Sequence, residues 1–188
     1  MKKIVNTSKG FTLAEILISL MILGVIASLT IPSLIQNTQK KEQVVQVKKA
    51  LSVINQAIAM DYALTGKDLS NYDSTSAILD MLKKRISITD TDSGAFKTVD
   101  GSTFYIEYWD NYNEANDIGD NNNIMFVYYT TQPLSPQDVL NKLDSDGYPQ
   151  ASTLGNMTGW YRFNCGKDRC VPSSGTAAIL NATDPTKS

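Results

Sequence analysis

Histidine is absent from the 188 residues, and cysteine occurs only twice. Without an imidazole, Ser-His-Asp and Cys-His catalysis and His-ligated metal sites are excluded, and two thiols fall short of a four-cysteine zinc site. Neither sign of charge is in excess. Lys and Arg number 17 and Asp and Glu 19, a formal −2, so no global field steers the chain onto nucleic acid. Long apolar runs are scarce as well: there is one, near the N-terminus, where a multi-span membrane protein carries several. At 42% hydrophobic and 19% charged, the composition is that of a folding chain rather than a disordered one. The length suits one domain with an extension.

Residues 1–10, MKKIVNTSKG, form a short polar leader with three lysines and no acid. From Phe11 to Gln39 the only charge is Glu15, and Ile16 to Ile35 is mostly Leu, Ile, Val, Met and Ala. Twenty such residues at ~1.5 Å each span the ~30 Å hydrocarbon core of a bilayer. Lysines flank both ends of the run (Lys2, Lys3 and Lys9 before it, Lys40, Lys41, Lys48 and Lys49 beyond), so charge counting leaves the orientation open.

The helical period continues past the apolar run. Val44, Val47, Leu51, Ile54 and Ile58 recur at spacings of 3, 4, 3 and 4 with polar residues between, and Gly66 is the first strong stop. One helix from Phe11 to Leu64, roughly 80 Å long at the standard rise, follows, and its second half needs a partner surface. The rest of the chain supplies one: a short helix over 76–86, a hairpin over 95–109 turning at Asp100-Gly101, a strand over 124–130 and a fourth strand over 159–165. Asp110 to Asn123 and Pro133 to Asn156 read as polar loops. The expected architecture is α+β, a long helix packed on a small antiparallel sheet.

Glu15 is the sharpest single feature. A carboxylate in an apolar segment costs ~2.5 to 3.5 kcal/mol at the bilayer centre and less at the interface, so it calls for a positive partner. No residue from Phe11 to Gln39 is basic. A cut between Gly10 and Phe11 would create an α-amino group able to serve, on the same helix or from a neighbouring copy.

The run Lys9-Gly10-Phe11-Thr12-Leu13-Ala14-Glu15 resembles the prepilin signal of type IV pilins and type II secretion pseudopilins. In that family the leader ends in Gly, the mature chain begins with Phe and its fifth residue is Glu, here Gly10, Phe11 and Glu15. The resemblance implies cleavage after Gly10 and N-methylation of Phe11 by a prepilin peptidase. It further implies assembly through the exposed helices, with Glu15 as the assembly residue, into a filament of its own copies and related pilins or pseudopilins, with inner-membrane assembly machinery and membrane lipid as partners. Pro32 lies where pilins carry a helix-loosening proline. Having no N–H for the Ser28 carbonyl, it should kink or melt the helix locally. Gly24 and Ser28 form a small-xxx-small pair that permits close helix approach.

Cys165 and Cys170 enclose Gly-Lys-Asp-Arg, and with no histidine and no other cysteine a disulfide closing a tight hairpin is their expected state, outside the cytoplasm. Pilins often carry a C-terminal disulfide loop, usually a longer one. Asp144-Ser145-Asp146-Gly147 resembles part of a calcium loop, and major pseudopilins bind calcium in a C-terminal loop. The full ligand pattern is missing, so a plain turn is the reading and no metal or other cofactor is expected. Tyr105, Tyr108, Trp109, Tyr128, Tyr129, Trp160 and Tyr161 are read as sheet residues before a ligand platform.

The chain therefore divides into a leader (1–10), a transmembrane or filament-core helix (11–39), an amphipathic continuation (40–65) and an α+β head (66–188). The expected role is a non-enzymatic pilin or pseudopilin subunit. It is single-pass in a bacterial inner membrane with the head outside, then part of a pilus or periplasmic pseudopilus. A competence-type DNA-uptake pilin is the first alternative, but residues 90–188 carry 13 acids and six bases, which disfavours nucleic acid as a partner. The second is a secreted or periplasmic binding module with an ordinary signal peptide cut after Ala27.

Overall fold

A computed structural model describes residues 10–119, 122–143 and 159–182. Residues 1–9 of the expected leader, and Asp144-Ser145-Asp146-Gly147, where a turn was expected, lie outside them. The chain divides into two compact units, Met1–Lys41 and Glu42–Ser188, and helix α1 runs over Leu13–Thr65.

In the first unit, Leu13–Ile31 is the one helical stretch among the described residues long and apolar enough to cross a membrane, with a mean hydropathy of 2.3 over 19 residues. Its large side chains, Leu17, Met21 and Leu29 among them, are exposed. The hydroxyls of Ser19, Ser28 and Thr30 donate back to the carbonyls of Glu15, Val25 and Ile26 at 2.8, 2.8 and 2.9 Å, so these groups are satisfied within the helix itself. The backbone is helical through Pro32.

The second unit begins with the amphipathic part of α1. Val44, Val47, Ala50, Ile54, Ala57 and Ile58 are buried, and Leu51 is half-buried. The helix ends where expected: Gly66 adopts φ +71°, and its amide reaches the Tyr62 carbonyl at 2.8 Å. A 3-10 turn, Leu69–Asn71, leads to α2, Thr75–Arg85, which is capped by the Ser74 hydroxyl on Ala77 N. Lys83, Lys84 and Arg85 complement its C-terminal dipole.

Among the described residues six strands follow where four were expected: β1 (Ile88–Asp92), β2 (Ala95–Thr98), β3 (Thr103–Asn111), β4 (Asn123–Thr130), β5 (Trp160–Cys165) and β6 (Cys170–Pro172). They pair in sequence order, every pair antiparallel. The Asp100-Gly101 hairpin has a three-residue loop rather than two. Thr98 pairs with Ser102, the Gly101 amide closes a turn on the Thr98 carbonyl at 2.9 Å, and Gly101 takes φ +86°. The two-residue turn lies earlier, at Ser93-Gly94 with φ +42° and +94°, joining β1 to β2. The expected loop after Pro133 contains a short helix, α3 (Pro136–Leu140), and the chain continues past β6 as α4 (Ser174–Ala182).

One face of the sheet shares a core with α1 and α2. Phe96, Phe104, Ile106, Val127 and Phe163 lie with Val47, Ile54, Ile58, Ile78 and Leu82, and the Phe96 and Phe104 rings stack at 5.0 Å. A smaller cluster of Ala95, Phe126, Tyr128, Val139 and Trp160 brings α3 onto the sheet. Covered on both faces, β4 is buried along all eight residues.

Candidate functional site

At the N-terminus, Gly10 and Phe11 precede α1 and are exposed, Phe11 to 85%. Glu15 sits in the first turn. Its Oε2 accepts from the Thr12 amide and the Thr12 hydroxyl, both at 2.8 Å, while Thr12 Oγ1 accepts from the Glu15 amide at 3.3 Å. This reciprocal capping box satisfies two groups at the helix start and places a carboxylate at the positive end of the dipole. The signal Thr12-x-x-Glu15 was in plain view, though the carboxylate read there as needing only a cation. Pro32 falls among positions whose side chains lie outside the description.

In the α+β unit, Cys165 and Cys170 are bonded. The ring they close is held from three sides. The Asn55 side chain of α1 bonds both backbone groups of Cys170, the Leu69 amide donates to the Lys167 carbonyl at 2.9 Å, and Lys167 pairs with Glu114. The loop after β3 is organised rather than simply solvated. Asn122 Nδ2 donates to the carbonyls of Asn113, Asn116 and Asp117 at 3.1, 2.7 and 3.0 Å, and its Oδ1 accepts the Asn113 amide at 2.5 Å.

Sequence reading missed a buried ionic cluster. Asp61, 3% exposed, takes both Arg85 Nε and Nη2 on Oδ1 at 2.9 and 2.8 Å and the Tyr72 hydroxyl on Oδ2 at 2.5 Å. Burial alone would raise the Asp61 pKa, but Tyr72, Arg85 and Thr65 outweigh it and the net shift is downward. Burial, reinforced by the carboxylate, pushes the Tyr72 phenol up to about 12. The signal available was a charged residue continuing the apolar stripe of Ile54 and Ile58.

The aromatic residues are chiefly sheet packing. Tyr129 and Tyr161 belong to the main core, and Tyr128 and Trp160 to the second cluster. Trp109 remains 41% exposed beside Phe126, whose ring also carries Arg162 at 5.0 Å. Among the described residues no group of three or more metal-ligating side chains converges.

The chain thus has a prepilin-type N-terminus, an apolar helix and a pilin-like α+β architecture. Its residues 5–31 match the prokaryotic N-terminal methylation motif. The chain is similar to type II secretion system core protein G of Aeromonas hydrophila, at 40% identity over 75 residues, covering 39% of this chain and 48% of that protein. Against the protein of the same name from Escherichia coli (strain K12), identity is 37% over 79 residues, 41% of this chain and 50% of the relative. The chain thus spans about half the length of the curated relatives it matches. No solved structure matches it at comparable significance.

Proposed function

We propose that the chain is a structural subunit of a type II secretion pseudopilus or a closely related type IV filament, and not an enzyme. The observation that carries the reading is the methylation motif at residues 5–31 joined to an exposed apolar helix, Leu13–Ile31. In the precursor that helix anchors the chain in a bacterial inner membrane with the α+β unit outside. A prepilin peptidase then cuts after Gly10 and methylates the new amine of Phe11. In the uncleaved chain the Phe11 nitrogen is an uncharged amide, and the Glu15 carboxylate is held by Thr12. Cleavage supplies the cation that Glu15 lacks, and a neighbouring copy's amine brings subunits into register along the filament. Pro32, which leaves the Ser28 carbonyl without its helical donor, is where we place the give of the helix under extension. The partners are other copies, related pseudopilins and the assembly machinery of the inner membrane.

Top-down mass spectrometry of chain purified from its native membrane tests the reading. The expected product begins at methylated Phe11 and retains 14 basic and 19 acidic residues. A mature terminus at Ser28, the product of ordinary signal-peptide cleavage, would overturn it.

A further inference from the structure

The two cysteines belong to the main core, with Cys165 0% and Cys170 2% exposed. Distant segments close over their ring. Asn55 of α1 clasps the Cys170 backbone, Leu69 reaches the Lys167 carbonyl, and Ile118 and Tyr112 pack on Gly166. That last contact is close enough that a Cβ at Gly166 would sit 2.7 Å from Ile118 Cγ1 and 3.0 Å from Tyr112 Cε2. Disulfide exchange requires a thiolate to reach the sulfur of an incoming disulfide, and a protein oxidant needs both thiols accessible in turn. The closed unit offers neither.

We propose that Cys165 and Cys170 are joined on an open β5–β6 hairpin, by a disulfide-exchange oxidant, before α1 and the loop of residues 112–119 dock on the ring. One cysteine thiolate attacks the oxidant's disulfide and forms a mixed disulfide, releasing one of the oxidant's sulfurs as a thiolate. The second cysteine, as thiolate, then displaces the oxidant's other sulfur. The two thiols lose two protons and two electrons, and the oxidant's disulfide becomes a dithiol. Oxidation is therefore an early step that the finished fold seals. This order follows from burial and does not rest on the filament reading.

The test uses the full chain in detergent, with oxidised glutathione as the oxidant. Reduced, denatured chain is either oxidised before transfer to native conditions or transferred under reductant and oxidised afterwards. Bond formation is read by quenching with N-ethylmaleimide and measuring intact mass, and closure by protease resistance. The expected result is oxidation slowed by about tenfold or more in chain that has closed first, because each event waits for an opening. A reduced chain that gains no protease resistance until oxidised supports the same order. In the reverse direction, dithiothreitol should release no thiols from native chain until denaturant is added. A closed, protease-resistant, reduced chain whose thiols oxidise and alkylate at the denatured rate overturns the proposal. So does native chain that dithiothreitol reduces at that rate.

Discussion

The side-chain amide of Asn55 does for Cys170 what a further strand would do. Its Nδ2 donates to the Cys170 carbonyl at 3.0 Å and its Oδ1 accepts the Cys170 amide at 2.6 Å. β6 is the last strand of the sheet, and an open edge is a template for unwanted pairing. Here α1 closes that edge with one side chain. At the opposite edge, β1 carries Asp90 and Asp92 and an irregular register between Ile88 and Asp90, two other devices against edge pairing.

Asn55→Ala removes both bonds and leaves the Cys170 N–H and C=O without their partner in a largely buried place. The expected loss is about 1–3 kcal/mol in denaturant melts, the cost of unsatisfied buried groups. Ser52→Ala, one turn away on the exposed side of α1, should stay within about 0.5 kcal/mol of the parent. Equal midpoints for the two variants would show that the clasp contributes nothing.

Asp61 and Arg85 give a pH-dependent counterpart. The Asp61 pKa is lowered in the folded chain, so its ion pair stabilises above the ordinary carboxyl value of 3.8 and that stabilisation fades as pH falls through the folded value. Arg85→Met strands a buried carboxylate and is expected to cost about 3–5 kcal/mol at pH 7. In the variant the Asp61 carboxyl has lost the Arg85 contacts that lower its pKa and protonates more readily than in the parent, so the gap between parent and variant should narrow as the pH is taken down toward 3.8 and below. Urea melts across that range check the sign. A gap that stays constant or widens in acid argues against the pair.

The turn at Ser93-Gly94 shows how far local signals reach. Both Ser93-Gly94 and Asp100-Gly101 are strong turn dipeptides, but only the first forms the two-residue hairpin. The second spends its glycine on the last position of a three-residue loop, a choice of register that the dipeptide does not encode. Ser135-Pro136-Gln137-Asp138 opens α3 with a capping box and a proline in the first turn, legible signs that the surrounding turn residues masked. The stripe from Val44 to Ile58 was legible because period alone defines it. Asn55 and Asp61 were not: polar residues on a helix read as surface until the fold brings Cys170 from 115 positions away and Arg85 from 24. At Gly94 the local and tertiary demands coincide. φ is +94°, and a Cβ would stand 2.8 Å from Thr75 Cγ2 and 3.0 Å from the Ile106 carbonyl. Gly94→Ala should therefore cost at least the ~1–2 kcal/mol of a left-handed non-glycine residue, measured by thermal melting. The same change at the exposed, helical Gly24 has open space around it and should not lower the melting temperature.

Glu15→Val removes the only charge between Phe11 and Gln39 and leaves Thr12 without its capping partner. Membrane insertion should be retained or improved, since a carboxylate leaves an apolar segment. Entry into filaments should fail, because nothing then meets the neighbouring amine. Fractionation of cells expressing only the variant should find it in the membrane and absent from sheared filaments. Normal filament yield would refute the role given to Glu15.

The amphipathic half of α1 is expected to belong to the stability of the α+β unit, and truncation separates it from the apolar half. Removing residues 1–38 leaves Val44, Val47, Ile54 and Ile58 buried, along with the Asn55 clasp and the Asp61 cluster. That chain should be soluble and melt cooperatively. Removing residues 1–64 uncovers Phe104, Ile106, Val127 and Phe163 on the sheet and deletes the partners of Cys170 and Arg85. Each of the four large apolar side chains lost from α1 is worth ~1.5–3 kcal/mol when fully buried, and a domain of this size holds only ~5–15 kcal/mol in total. The stripe alone is then of the same order as the whole stability, before the severed polar contacts are counted. The shorter chain should show no cooperative melt and should bind a hydrophobic dye. If it melts as sharply and as high as the longer one, α1 is dispensable to the sheet, and the burial of its stripe does not set the stability of the unit.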